Sequence, residues 1–187
     1  DPEAKLARTT AVADDLVKRF PDNSALVLMR ARMLGSKQTY PEAIQAMEQV
    51  KQLPPAPVSQ EGVRRYVMKT EATYWQASYS LRMIDQATDA AARDKLIADA
   101  VKYRQELAGQ VPDAAPQLKM IDGTVAYAKK DWATAHRLLS EYSRAVNDSD
   151  MDALWSLANA SLAQQRPGEA RDYVGKVREM LPGAPGP

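Results

Sequence analysis

Residues that carry catalysis or bind metals are scarce in this sequence. His136 is the only histidine, and there is no cysteine among the 187 residues. A thiolate nucleophile, a disulfide and a cysteine-ligated zinc site are therefore excluded. A catalytic histidine needs several convergent polar groups, and the sequence around His136 does not supply them. We therefore predict a structural or solvated role for His136, no enzymatic activity, no metal and no cofactor.

Acidic residues alternate in one short run, residues 147–152, which reads Asn-Asp-Ser-Asp-Met-Asp. The run lacks the central glycine and the distal glutamate of a calcium-binding loop. It is better explained as a turn that supplies N-cap groups to the next helix. No glycine-rich phosphate loop occurs. The basic pairs 64–65 and 129–130 lie among acidic or apolar residues and are predicted to be solvated helix surface, not a nucleic-acid stripe.

Composition places the chain among soluble globular proteins, with 45% hydrophobic and 26% charged residues. The formal net charge is +1, which gives no general attraction to nucleic acid or to an anionic membrane. No apolar run approaches the ~20 residues of a membrane span. The chain starts at Asp1, and we expect a mature or excised piece of a longer protein. Its alanine-rich, cysteine-free composition is compatible with a bacterial cell envelope or periplasm.

The elements that must position any site recur with a fixed period. Ala100, Ala135 and Ala170 are spaced by 35 residues, and Pro21 and Pro55 by 34. Each alanine begins an apolar helical stripe that in most cases ends at a proline. A small residue stands twelve positions before the alanine in three units, in the pairs Ala31 and Ala43, Gly123 and Ala135, and Ala158 and Ala170. Small residues at such positions let two helices approach closely.

This pattern resembles the tetratricopeptide repeat, a ~34-residue helix-turn-helix unit. The resemblance implies an all-α fold, a right-handed superhelix of antiparallel helix hairpins with about nine helices. We expect a single repeat domain over residues 1–182, followed by a Pro/Gly tail or linker at 183–187. Its parts are a leading helix at 3–20 and repeats at about 24–57, 58–115, 116–150 and 151–182.

The second repeat is enlarged, because Ala43 and Ala100 are 57 residues apart. An unbroken apolar stripe runs from Val63 to Leu81, which predicts one long helix over 59–84, with Ser59 as its N-cap. A second long helix is predicted over 88–108. The extra residues are therefore expected to lengthen both helices of the hairpin and not to form a loose loop.

The resemblance also implies a binding surface, because the first helix of each tetratricopeptide pair lines the concave face. Carried over residue by residue, it assigns partner binding to Leu28, Arg32, Trp75, Tyr79, Arg82, Met120, Thr124, Tyr127, Trp155 and Asn159. Aromatic residues dominate binding hot spots, which favours a groove for a peptide or protein segment. The alternative is that Trp75 and Trp155 pack between adjacent repeats.

The function predicted from the resemblance is a scaffold or adaptor that binds a segment of a partner protein in that groove. The lysine-and-asparagine clamp with which some family members hold a terminal carboxylate is absent. Leu28 and Trp155 stand where its lysines are needed, and only Asn159 matches. The alternative function is a structural assembly module, which self-associates or packs on another domain of a longer chain.

Overall fold

The computed structural model describes residues 2–53 and 60–181, and within these ranges it contains nine α-helices and no strand. The helices are α1 (Pro2–Arg19), α2 (Ser24–Ser36), α3 (Tyr40–Gln52), α4 (Gln60–Arg82), α5 (Ala90–Ala108), α6 (Pro116–Ala128), α7 (Trp132–Ala145), α8 (Met151–Ala163) and α9 (Pro167–Met180). A short 3-10 helix, Ile84–Gln86, follows α4. The predicted all-α fold is confirmed. No helix in the described part is both long and apolar enough to cross a membrane.

Local side-chain chemistry explains where the helices begin. The side chains of four N-cap residues accept a hydrogen bond from the backbone N–H three positions on, which satisfies a donor that the helix leaves open. These caps are Asn23 at α2, Asp89 at α5, Asp131 at α7 and Asp150 at α8. Three other helices, α3, α6 and α9, have proline in the first turn, where a missing N–H costs nothing.

The turns inside three hairpins have the same backbone conformation. Gln38, Lys130 and Gln165 follow the ends of α2, α6 and α8 and have φ angles of 60°, 61° and 60°. This left-handed conformation lets the chain reverse directly after each first helix. The recurrence is a structural repeat that the side-chain types alone do not reveal.

The chain divides into two compact units, residues 1–110 and 111–187. In the first unit, α2 pairs with α3 and α4 with α5, and α3 packs on α4. The core of this unit is formed by Val27, Ala31, Ala43, Met47, Val50 and Ala72 with their neighbours. In the second unit, α6 pairs with α7 and α8 with α9, and α7 packs on α8.

The small residues predicted at the hairpin crossings are buried. Ala31 and Ala43 are fully buried, and Ala158 and Ala170 nearly so. A Cβ atom added to Gly123 would lie 2.8 Å from Leu139 Cγ, so α6 and α7 approach too closely there for a larger residue.

The enlarged hairpin consists of two long helices, the 23-residue α4 and the 19-residue α5. The structure ends α4 at Arg82, because the chain then turns through the 3-10 helix, and begins α5 at Ala90, because Asp89 caps it. The described helices are thus slightly shorter than predicted. Ser59 and the predicted tail at 183–187 lie outside the described residues.

Candidate functional site

Aromatic rings of α3 and α4 form a stack in unit 1, and Arg32 of α2 and Glu71 of α4 lie beside the Trp75 end of this stack. Tyr79 stacks on Tyr40 and on Trp75, with ring centroids 5.5 and 5.4 Å apart. The Arg32 guanidinium lies 5.7 Å from the Trp75 ring centroid. Trp75 Nε1 donates a hydrogen bond of 3.3 Å to Glu71, which also lies 3.4 Å from Arg32 Nη1. We call Arg32, Glu71 and Trp75 the α2/α4 face.

Tyr79 belongs to the core and not to this face. Its side chain is only 4% exposed. Its hydroxyl occupies the space beside Gly35 of α2, where an added Cβ would lie 2.1 Å from the hydroxyl oxygen. Burial raises the pKa of Tyr79 to about 12, against the opposing charges of Arg82 and Arg32. The prediction that Tyr79 contacts a partner is therefore wrong, because its ring is packed in the core against α2.

Leu28 and Met120 are also buried, each 7% exposed. Leu28 lies in the core of unit 1 together with Val27 and Ala31. Met120 packs against Tyr142 and Ala153, at the place where α6, α7 and α8 of unit 2 meet. Neither side chain presents the surface that the resemblance predicted, because the neighbouring helices cover it.

Helix α8 of unit 2 presents two large apolar side chains to solvent. Trp155 is 49% exposed and Leu162 is 56% exposed. Asn159 lies between them on α8, and its Nδ2 donates a 3.2 Å hydrogen bond to Tyr127 Oη of α6. The Tyr127 and Trp132 rings in turn form a T-shaped contact, with centroids 5.3 Å apart. We call Tyr127, Trp155, Asn159 and Leu162 the α6/α8 face.

Leu162 was missed by the sequence prediction, although its spacing signals it. It stands seven residues after Trp155 and three after Asn159, which puts all three on one side of a helix.

Two further residues predicted to bind a partner have different environments. Arg82 is exposed at the end of α4. Thr124 is half-buried, and its hydroxyl donates a 2.9 Å hydrogen bond to the Met120 carbonyl.

The residues considered for catalysis and calcium binding have structural partners. His136 is half-buried, its ring forms a T-shaped contact with the Tyr173 ring, and its Nε2 lies 3.1 Å from Glu169 Oε2. Asp148 accepts hydrogen bonds of 2.6 Å from Ser143 Oγ and from Lys176 Nζ, which hold its pKa below the usual range.

Asp150 completes the predicted turn. It caps α8 and accepts a 2.7 Å hydrogen bond from Tyr142 Oη. Over residues 2–53 and 60–181, no group of three histidine, cysteine or acidic side chains is arranged to hold a metal ion.

Comparisons with known proteins agree with this architecture. Residues 123–185 match the model of the tetratricopeptide repeat family. Among solved structures, the chain is similar to the crystal structure of MamA protein, with a TM-score of 0.54 and 14% sequence identity over 95% of this chain and 84% of that chain. At that identity the likeness concerns the fold alone. No curated protein matches the sequence. The predicted resemblance to tetratricopeptide proteins is confirmed.

Proposed function

We propose that this tetratricopeptide-type chain is a protein-interaction scaffold that binds a segment of a partner protein on the surface of its first helices. The repeat match supports a protein-interaction role in general terms. The observation that carries the proposal is the exposure of Trp155 and Leu162 on one side of α8. Exposed large apolar side chains at helical spacing are a frequent feature of interaction surfaces.

The α6/α8 face fits an extended or helical peptide with apolar side chains. Trp155 and Leu162 are seven residues apart, so they lie about 10 Å apart along the axis of α8. Between them Asn159 is held by Tyr127, which orients its amide group for a polar contact with a peptide backbone. Two apolar anchors around an oriented amide give both affinity and register.

The α2/α4 face offers a contact of different chemistry. Trp75 is half-buried and fixed between Tyr79, Arg32 and Glu71. An aromatic ring already held in place loses little conformational entropy when a partner covers it. Arg32, which is exposed, adds a cation that can contact an acidic or carbonyl group of the partner.

Peptide selection tests the proposal even while the natural partner is unidentified. A displayed random-peptide library is selected on the chain, and the dissociation constant of a selected peptide is measured by calorimetry. We expect the double variant Trp155→Ala/Leu162→Ala to weaken binding at least about thirtyfold, as for hot-spot residues worth ~2 kcal/mol.

The matched control is Val12→Ala/Phe20→Ala, which removes two side chains that are 58% and 55% exposed at α1 and just after it. This control is expected to leave the affinity unchanged. Equal affinities for the wild type and the Trp155→Ala/Leu162→Ala variant would overturn the α6/α8 face as the binding surface.

A second candidate function, a structural assembly module, is favoured by apolar residues on the last helix. Val174, Met180 and Leu181 of unit 2 are 38%, 37% and 48% exposed at or just beyond α9. A module that packs through this surface is expected to form dimers or larger species without any ligand. The mass measured by light scattering over a wide concentration range distinguishes the two functions, because a scaffold for peptides stays monomeric.

A further inference from the structure

A pocket of about 560 Å³ lies within unit 1, and its lining residues are different from those of the α2/α4 face. It is lined by the end of α3, by Lys69 of α4, and by the second half of α5 with Gln110 just beyond it. Its charged and aromatic lining residues are Glu48, Lys51, Lys69, Lys102, Tyr103 and Glu106. Ligand sites are concave, and a small number of polar groups placed in them fix the orientation of the ligand.

The base of the pocket is a saturated ionic network around Lys51. Its ammonium group lies 3.0 Å from Gln76 Oε1, 2.8 Å from Glu106 Oε2 and 3.1 Å from Glu48 Oε2. All three donors of the ammonium group are thus engaged. Gln76 is fully buried, and its amide donates to Glu48 Oε2 at 3.0 Å and to the Ile44 carbonyl at 3.2 Å.

Both signs of charge in this network persist at neutral pH. Burial lowers the pKa of Lys51, but its hydrogen bonds with Glu106 and Glu48 outweigh burial and hold the pKa above the usual range. Burial acts on Glu48 in the opposite sense, and hydrogen bonds from Gln76 and Lys51 hold the pKa of Glu48 below the usual range. The two glutamates are therefore bound to Lys51 and are poorly suited to take a cationic ligand.

The remaining charge of the pocket is positive. The lining contains three lysines and two glutamates, which is a net charge of +1. Within the described ranges neither Lys69 nor Lys102 forms an ion pair. The Tyr103 ring lies 5.4 Å from Lys51 Nζ and 5.9 Å from Lys102 Nζ. Burial raises the pKa of Tyr103, so its hydroxyl keeps its proton at neutral pH and can donate a hydrogen bond. A cleft with an excess of one sign of charge attracts ligands of the other sign.

We propose that this pocket binds a carboxylate, carried either by an acidic peptide side chain or by a free dicarboxylic acid. Lys69 and Lys102 approach it from α4 and α5 and supply charge-assisted hydrogen bonds. The Tyr103 hydroxyl donates a further one. Lys51 is committed to the glutamates and fixes the shape of the base. The site shares no lining residue with the α2/α4 face or the α6/α8 face.

The whole chain is titrated at low ionic strength with each of two probes, a hexaglutamate peptide and glutarate. Binding is monitored by the change in amide chemical shifts. We expect shifts in residues 48–52, 69 and 102–110 with at least one probe. The probe that binds more tightly identifies the source of the carboxylate. Lys69→Gln/Lys102→Gln is expected to weaken binding about tenfold or more, and Tyr103→Phe about threefold.

The control variant Lys129→Gln/Lys130→Gln removes two exposed lysines of unit 2 and is expected to leave the affinity unchanged. The proposal fails if neither probe binds, or if the control weakens binding as much as the pocket variant. Trp155→Ala/Leu162→Ala is expected to bind both probes normally, so failure here and failure of the peptide-binding proposal are distinguishable.

Discussion

At the scale of single residues, the two predicted anchor tryptophans have different environments. Trp155 is half exposed on α8, whereas Trp75 is packed against the core of unit 1 and contacts Tyr79, Arg32 and Glu71. The cost of truncating each ring follows from how much apolar surface it buries and how many specific contacts it makes. The two residues therefore contribute unequally to stability, although the repeat pattern assigns them the same position.

Thermal and urea unfolding of Trp75→Ala and Trp155→Ala measure this difference. For Trp155→Ala we expect a loss of unfolding free energy within ~0.5 kcal/mol, as for exposed positions. For Trp75→Ala we expect about 2 kcal/mol, below the ~3–5 kcal/mol of a fully buried tryptophan. A loss above ~3 kcal/mol for Trp155→Ala would mean that its ring is part of the core and not a partner anchor.

The buried Tyr79 hydroxyl makes stability depend on alkaline pH. Burial raises the pKa of Tyr79 in the folded state from 10.0 to about 12, so the folded state retains the proton more strongly than the unfolded state. This contribution is complete below the unfolded pKa and is lost as pH rises through 10 towards 12.

Urea unfolding at about pH 9 and about pH 11 is expected to show a loss of about 1 kcal/mol from this residue. Tyr79→Phe serves as the reference, because it lacks the ionisable group. An identical loss in Tyr79→Phe would show that other groups cause the alkaline destabilisation.

At the scale of elements, the close approach of helices depends on particular small residues. Gly35 ends the packed part of α2 directly beside the Tyr79 hydroxyl, whereas Gly175 lies within α9 with open space around its Cα. An alanine methyl group at position 35 collides with the Tyr79 ring, while one at position 175 meets nothing within 4 Å. We therefore expect glycine-to-alanine substitution to destabilise the fold at position 35 and to stabilise it at position 175.

Gly35→Ala is expected to lower the unfolding free energy by ~1–3 kcal/mol through overpacking. Gly175→Ala is expected to raise it by ~0.5–1 kcal/mol, since alanine favours the helix. Chemical denaturation of both variants checks the pair. A stabilised Gly35→Ala would contradict the packing of Tyr79 against α2.

Much of this architecture follows from the sequence, whereas the burial of individual side chains does not. Helical periodicity predicts the helices, and the paired alanines predict where two helices cross. Both features can be recognised from the residue types of each segment alone. Tyr79 is buried because α2 has a glycine opposite it, and a pattern within α4 contains no information about that gap.

Other side chains depend in the same way on neighbours that are remote in sequence. Met120 is covered by α7 and α8, and the pocket around Lys51 combines three helices. Such sites need the tertiary structure. Leu162 is different, because extending the spacing of Trp155 and Asn159 by one helical turn is enough to predict it.

For the molecule as a whole, the net charge is nearly zero, so binding depends on the local chemistry of each surface. The net charge of the chain is only +1, so charged ligands are distinguished by local groups of side chains. The α6/α8 face is apolar and aromatic, whereas the pocket around Lys69 and Lys102 is cationic. The two proposed sites therefore differ in the kind of interaction that holds a ligand.

Ionic strength is expected to separate the two sites. Raising salt from about 0.01 M to about 0.15 M shortens the Debye length from ~30 Å to ~8 Å. We expect the affinity of a selected peptide for the α6/α8 face to change less than about twofold, and the affinity of hexaglutamate for the pocket to fall about tenfold. Calorimetric titrations at both salt concentrations provide the measurement. If salt weakens both affinities by the same factor, the α6/α8 face and the pocket do not differ in the way proposed, one apolar and the other cationic.

If partner proteins contact the first helices, site-specific photo-crosslinking in cells will join them to these helices. A photoreactive phenylalanine is placed at position 155 or 159 on α8, and at position 137 or 171 on the second helices α7 and α9 as controls. All of these positions are exposed. We predict adducts with a different protein at 155 and 159 and none at 137 and 171. Adducts only at 137 and 171, or only between copies of this chain, would contradict the claim.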